Sequence, residues 1–282
     1  MMKEKLEHIL TVILVMMVLP CAMTILLNGK MEQIYRNIQD EAAYISVKTN
    51  RGIREMNVEE YVIGVTAAQI PEEYDLEAVK AQMVIARTNL CRQMEETEVW
   101  EGDYISLAQL EASGQADKFI RAQKETKGQI LLWEGEPIMA SFHALSAGKT
   151  RDGNETFQSE DYGYLRSRDC PADKKSEQYE TVIQIDDAWR EMEVLKRDDA
   201  GYVQQLKLGE VILSGEEFRN LLGLPSASFE IKKKEEGVFL TVHGIGHGLG
   251  LSQYTAQQLA LAGKNYKEIL GYFFEGTVLD RR

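Results

Sequence analysis

The sequence predicts an α+β fold, in which a single amino-terminal transmembrane helix is followed by a mixed helix-and-sheet domain outside the membrane. Three observations carry this expectation. Residues 9–27 (ILTVILVMMVLPCAMTILL) run for 19 positions without a charge. Residues 57–90 show helical periodicity bracketed by cap and stop signals. Beyond them, short alternating segments punctuated by glycine lead to a glycine-dense loop at 243–254.

At about 1.5 Å of rise per residue, the 9–27 run matches the ~30 Å hydrocarbon core of a bilayer. Lys3 and Lys5 precede it, only partly offset by Glu4 and Glu7. The positive-inside rule therefore puts the amino terminus in the cytoplasm and the rest of the chain outside. A cleaved signal peptide is the competing reading, although no small-x-small cleavage site follows the run cleanly. The chain divides into a cytoplasmic tip and anchor at 1–30, a stalk and first strand at 31–56, and a folded domain at 57–282.

Tyr44-Ile45-Ser46-Val47-Lys48 alternates as a strand and ends near the turn Asn50-Arg51-Gly52. A helix is expected from Asn57, with Glu60 completing a capping box and Pro71 ending it. Asp75 caps a second helix, whose residues Leu76, Val79, Met83, Ala86 and Leu90 form one apolar stripe. Arg87 lies off that stripe. Residues 95–127 are polar and helix-prone. Residues 128–133 and 137–143 read as a β-hairpin around Glu134-Gly135-Glu136. Residues 179–242 alternate short strands with a helix at 215–222, and two more helices follow, one leaving the glycine-rich loop and one at 265–274.

Composition narrows the function. The formal net charge is −13, and Lys3, Lys5 and Lys30 against Glu4 and Glu7 leave nearly all of that acidity beyond the first 30 residues. A nucleic-acid binder relying on bulk positive charge is excluded. Three scattered cysteines, Cys21, Cys91 and Cys170, make neither a disulfide framework nor a CxxC pair. His243 and His247 are four apart, but Gly244 stands where a zinc-helix motif needs Glu, and the glycines oppose a helix. No phosphate-loop fingerprint is present. No metal and no cofactor is expected.

The runs EYVIGVTAAQIP at 60–71, LEAVKAQ at 76–82 and Ala86-Arg87-Thr88 resemble the signature of the stage II sporulation protein D (SpoIID/LytB) family. Phe142-His143 with Ser146-Ala147-Gly148-Lys149-Thr150 resembles its FHSTSGGxT segment. GHGLGLSQY at 246–254 resembles its GHGVGMSQYGA segment. The three blocks occur in family order.

The resemblance implies a membrane-anchored protein of endospore-forming bacteria that acts on peptidoglycan during engulfment. Active members are lytic transglycosylases whose acid/base is the Glu of an AAEMP motif. Here Gln69 holds that position, and an amide can neither give nor take the proton, a contribution worth typically ~10²–10⁴-fold. Catalysis is therefore expected to be impaired while glycan binding survives through Arg87, His143, His247, Ser252, Gln253 and Tyr254. Glu72, Glu73 and Asp75 are the nearest substitute carboxyls, on a turn beyond the helix stop.

The family's implied partners are peptidoglycan glycan strands, a cell-wall amidase and a polytopic membrane protein. The zinc loop of some members is not expected, since 95–116 has no His or Cys. Thr255 in place of Gly, and Ala144-Leu145 in place of a small polar pair, suggest relaxed constraint on the cleft. The helices at 57–90 and the loop at 243–254 are expected to meet across one cleft.

Overall fold

The computed structural model describes residues 44–49, 52–93 and 99–281. The expected anchor at 9–27 lies outside the described residues. Among the described residues no helix is long and apolar enough to cross a membrane. The chain forms two compact units, the first running through Tyr61 with Val99–Glu101, the second containing the remainder.

In the first unit β1 (Tyr44–Thr49) pairs antiparallel with β2 (Gly52–Asn57), Tyr44 opposite Asn57 and Thr49 opposite Gly52. β3 (Val99–Trp100) joins β1 in parallel. The Tyr61 ring meets Trp100 with centroids 6.4 Å apart, and Lys48 pairs with Glu101. The expected first strand is thus one of three. The Asn57 Oδ1 accepts from the Glu59 N–H at 2.9 Å and opens helix α1 (Val58–Gln69).

The second unit takes up the chain from Val62. Ile70 and Pro71 stop α1, and the Asp75 carboxylate accepts from the Glu77 N–H at 2.8 Å to start α2 (Leu76–Gln93). The stripe on α2 is buried from Val79 onward, yet so is every residue from Ala78 to Thr88. Helix α3 (Leu107–Ala112) packs on α4 (Ala116–Thr126), and α4 and β4 (Gln129–Trp133) cover α2, which is a central rod. The rod also packs on two later helices.

The expected hairpin is real but brief. β4 pairs with β5 (Glu136–Pro137) for two residues across a tight turn in which Glu134 (φ 54°) and Gly135 (φ 89°) are both left-handed. The return does not reach His143. Instead β6 (Phe142–His143) leaves to pair with a strand far along the chain. After the short helix α5 (Gly153–Phe157) come β7 (Glu180–Ile185), β8 (Met192–Arg197), β9 (Val203–Leu208), β10 (Val211–Leu213), helix α6 (Gly215–Leu222), β11 (Phe229–Lys234) and β12 (Gly237–His243).

These strands form two antiparallel sheets of order β10-β9-β8 and β11-β12-β7. They enclose a core of Met192, Val203, Leu206, Phe218, Phe229 and Leu240. Then β13 (Leu251–Ser252) lies parallel to β6, with Leu251 opposite Phe142 and Ser252 opposite His143. Helices α7 (Gln253–Leu261) and α8 (Tyr266–Phe273) cover α2. A final strand β14 (Val278–Arg281), which the sequence pattern does not announce, pairs with β4.

Candidate functional site

At the end of α1, the Gln69 Oε1 accepts from Gln82 Nε2 of α2 at 2.9 Å. Gln253 Nε2, at the start of α7, donates to the Gln69 carbonyl at 2.7 Å and to Gln82 Oε1 at 3.2 Å. Three amides, two from the first family-like block and one from the third, are therefore locked together. Gln82 and Gln253 are buried, and Gln69 is half-buried. The expected meeting of the first helices with the glycine-rich block is made by these bonds. Among the described residues the Gln69 amide nitrogen has no partner.

The turn after Pro71 is pinned beside this cluster. Lys118 donates to the carbonyls of Glu72 and Tyr74, and the Asp75 N–H donates to Gln257 of α7 at 2.7 Å. Glu72 and Glu73 are exposed on it. Burial pushes the Tyr74 phenol up to about 12, with Glu73, Tyr254 and Asp173 adding to the shift, so Tyr74 is a neutral hydroxyl near those groups.

The glycine-rich block is a backbone device. Gly250 (φ 68°) approaches so closely that a Cβ would sit 2.0 Å from the Ser141 carbonyl, and one on Gly248 (φ 79°) would meet the Tyr202 ring at 2.4 Å. The close approach lets Leu251 donate to that same Ser141 carbonyl and Arg151 donate to the Gly248 carbonyl. The Arg151 side chain is itself held by Asp198 at 2.6 Å and Glu216 at 2.9 Å.

Each histidine of this region is fixed as a neutral tautomer. His143 must donate from Nδ1 to the Leu249 carbonyl at 3.0 Å, which leaves a lone pair on a buried Nε2 without a partner among the described residues. His247 Nδ1 accepts from the Leu249 N–H at 3.0 Å. Their ring centroids are 5.8 Å apart. Burial lowers His143 to about 3, and His247 and Arg219 add to the shift. Burial also lowers His247, with Glu216 opposing. Neither is a cation at neutral pH. His243 is not part of this pair; it stacks on Tyr179 at 5.2 Å.

Beneath α7 sits Asp173, fully buried. One carboxylate oxygen accepts from the Ser146 N–H and the Ser252 hydroxyl, both at 2.7 Å, and the other accepts from the Thr255 hydroxyl at 2.6 Å. Ser252 also caps α7 by accepting from the Thr255 N–H at 3.3 Å. Cys170 lies alongside, its thiol pushed up to about 12 by burial, with Asp173 adding, which makes it inert as a nucleophile. Thr255 is therefore a working part of this junction and not a sign of relaxed constraint.

The residues expected to touch glycan separate into two groups. Gln69, His247 and Tyr254 are half-buried and reach the surface. Arg87, His143, Ser252 and Gln253 are interior. Arg87, 2% exposed, donates to the Gln129 carbonyl at 3.1 Å. Although Arg87 lies off the apolar stripe, it does not reach solvent, because every residue from Ala78 to Thr88 of α2 is buried. Asp173, Gln82 and Tyr74 are the site residues that sequence reasoning missed. Gln82 stands inside a motif that was recognised, whereas Asp173 stands in a stretch without any motif. Among the described residues no three His, Cys, Asp or Glu side chains converge as a metal site.

A family model described as SpoIID, stage II sporulation protein, matches residues 46–133. The chain is 30% identical over 261 residues to stage II sporulation protein D of Bacillus subtilis (strain 168), covering 81% of this chain and 76% of that protein. To stage II sporulation protein D of Bacillus amyloliquefaciens it is 31% identical over 262 residues, with the same shares. An amidase enhancer of Bacillus subtilis (strain 168) is 23% identical over 282 residues, which cover 77% of this chain and 40% of that protein. The first and third family-like blocks meet in the amide cluster, and the two sporulation proteins match along most of their length, so the chain belongs to the stage II sporulation protein D (SpoIID) family.

Proposed function

We propose that the protein serves sporulation as a membrane-anchored, extracytoplasmic peptidoglycan-binding protein that resembles a lytic transglycosylase but is catalytically impaired. One observation carries the reading: at the position that the resemblance gives to the family's acid/base carboxyl stands an amide, Gln69, whose oxygen is held by Gln82 and whose backbone is held by Gln253. An amide so placed has donors and acceptors for sugar hydroxyls and N-acetyl groups but no proton to exchange near neutral pH. Gln69, His247 and Tyr254 are the groups that would face a glycan strand. Gln253, Ser252 and His143 hold them in place. A cell-wall amidase as partner is in keeping with the amidase enhancer among the relatives, and a polytopic membrane protein is the second partner of this reading.

A divergent enzyme is the second reading, favoured by Glu73, whose charge acts on Tyr74 from a turn pinned beside the cluster. Incubation of the purified protein with sacculi, followed by sedimentation and muropeptide analysis, separates the two. Binding without anhydro-muropeptides is expected. Gln69→Glu keeps the bond from Gln82 and loses no other protein partner, so it should release anhydro products at about 10²-fold or more over the parent. Failure of the parent to sediment with sacculi overturns the binding reading. Anhydro products from the parent that Glu73→Gln abolishes establish the enzyme reading instead.

A further inference from the structure

A concave site that shares no residue with the amide cluster is left unused by the glycan reading. It is a cavity of about 530 Å³ between the β4–β5 turn and the 3₁₀ turn Glu160–Tyr162. Its walls include the rings of Trp133 and Tyr164, with centroids 5.9 Å apart and inclined at 52°. Four carboxylates line it as well: Glu134, Glu136, Glu160 and Asp161, all on exposed residues. Among the described residues none of the four is bonded to a cation. Arg92 acts on the Tyr164 phenol only through space.

The aromatic walls are preset. A Cβ on Gly276 would come within 2.8 Å of the Trp133 ring, so this glycine lets the indole settle into place before any ligand arrives. The Tyr164 hydroxyl accepts from the Met139 N–H at 3.1 Å, which fixes the second ring. The left-handed Glu134 puts a carboxylate at the tip of the hairpin, where glycine or asparagine is the usual choice.

We propose that this cavity is a docking site for a lysine or arginine side chain of a basic partner polypeptide. Charge complementarity selects the occupant. Aromatic faces attract a cation and pack its methylene stem, and the carboxylates supply acceptors for its N–H groups. A bare inorganic cation has no use for the rings. A glycan strand with carboxylate-bearing peptides, or an anionic lipid surface, meets repulsion from four acids. The site is independent of the amide cluster and stands whether or not the protein binds glycan.

Calorimetric titration of the full chain with acetyl-tetralysine amide, against acetyl-tetraglutamine amide, tests the site. Tetralysine is expected to bind, and to bind more weakly at about 300 mM than at about 50 mM salt. The triple change Glu134→Gln, Glu160→Gln, Asp161→Asn should weaken it by about tenfold or more. Neutralising three exposed acids elsewhere (Glu230→Gln, Glu235→Gln, Glu236→Gln) should change it by less than about twofold. Trp133→Phe, which keeps a ring, should retain more affinity than Trp133→Leu at matched thermal stability.

Three results overturn the proposal: no heat with tetralysine, equal loss in the pocket and control triples, or equal binding of tetraglutamine. Displacement of tetralysine by an amine-bearing muropeptide at equal or lower concentration overturns the protein partner and makes a peptidoglycan amine the occupant.

Discussion

Replacing Asp173 with alanine probes the junction on which the site rests. The carboxylate receives three hydrogen bonds of 2.6–2.7 Å from the Ser146 amide, the Ser252 hydroxyl and the Thr255 hydroxyl, all buried. A hydrogen bond to a charged group contributes about 1.5–3 kcal/mol, and an orphaned buried donor costs about 1–3 kcal/mol. Two of the donors are hydroxyls that can turn to other acceptors, whereas the Ser146 amide cannot. Removal of a buried charge also recovers some desolvation energy.

The net expectation for Asp173→Ala is a loss of about 3–5 kcal/mol, a fall in Tm of roughly 6–20 °C for a domain of this size. Thr255→Val, which removes a single bond, should cost about 1–2 kcal/mol. Both are read by urea titration and thermal melting followed by far-ultraviolet circular dichroism. Because the two residues share a bond, the double variant should fall short of the sum by about 1 kcal/mol. A loss below about 1 kcal/mol for Asp173→Ala, or strict additivity with Thr255→Val, refutes the assignment of Asp173 as the pin of α7.

Burial of His143 predicts a pH effect of definite sign. Its folded pKa of about 3 lies below the unfolded value, so the unfolded chain binds the proton first and stability falls as pH drops from about 6.5 toward 3. The slope from this group is at most about 1.4 kcal/mol per pH unit. His143→Asn, which keeps a donor for the Leu249 carbonyl, should flatten the urea midpoint between pH 6 and 4, and an unchanged slope contradicts the assignment. Gly250→Ala should prevent folding or cost more than about 4 kcal/mol, since its Cβ meets backbone that cannot move aside. A soluble variant with native melting temperature disproves it. Cys170 should resist thiol reagents in the native protein and react only on unfolding, as followed by mass spectrometry.

What the sequence reveals follows from how local each signal is. The caps at Asn57 and Asp75 involve neighbours two residues away, and both are readable as short patterns. The burial of α2 on every side is not readable. It depends on α4, β4, α7 and α8, and a helix with a clean stripe looks the same whether its far face meets water or protein. Arg87, off the stripe yet 2% exposed, shows the difference. The hairpin turn at 134–135 is local and visible, but the departure of the return strand toward Ser252 depends on a pairing with residues far along the chain. Asp173 is invisible because its three partners come from two distant segments, at Ser146 and at Ser252 with Thr255, and a lone Asp after Cys-Pro-Ala carries no periodic signal. Thr255 could only be interpreted once Asp173 was seen beneath it.

The bond between Gln69 and Gln253 joins positions 184 residues apart, and His143 and Leu249 are separated by 106. Contacts of such span form late, because loop-closure entropy must be met before they contribute. A chain emerging from a ribosome or a translocation channel can therefore complete neither the amide cluster nor the Asp173 junction until its final quarter has passed through. The order of assembly acts as an interlock: whatever this surface grips, it cannot grip it from a half-made chain, and the early helices wait with their last face uncovered for α7 to close over them.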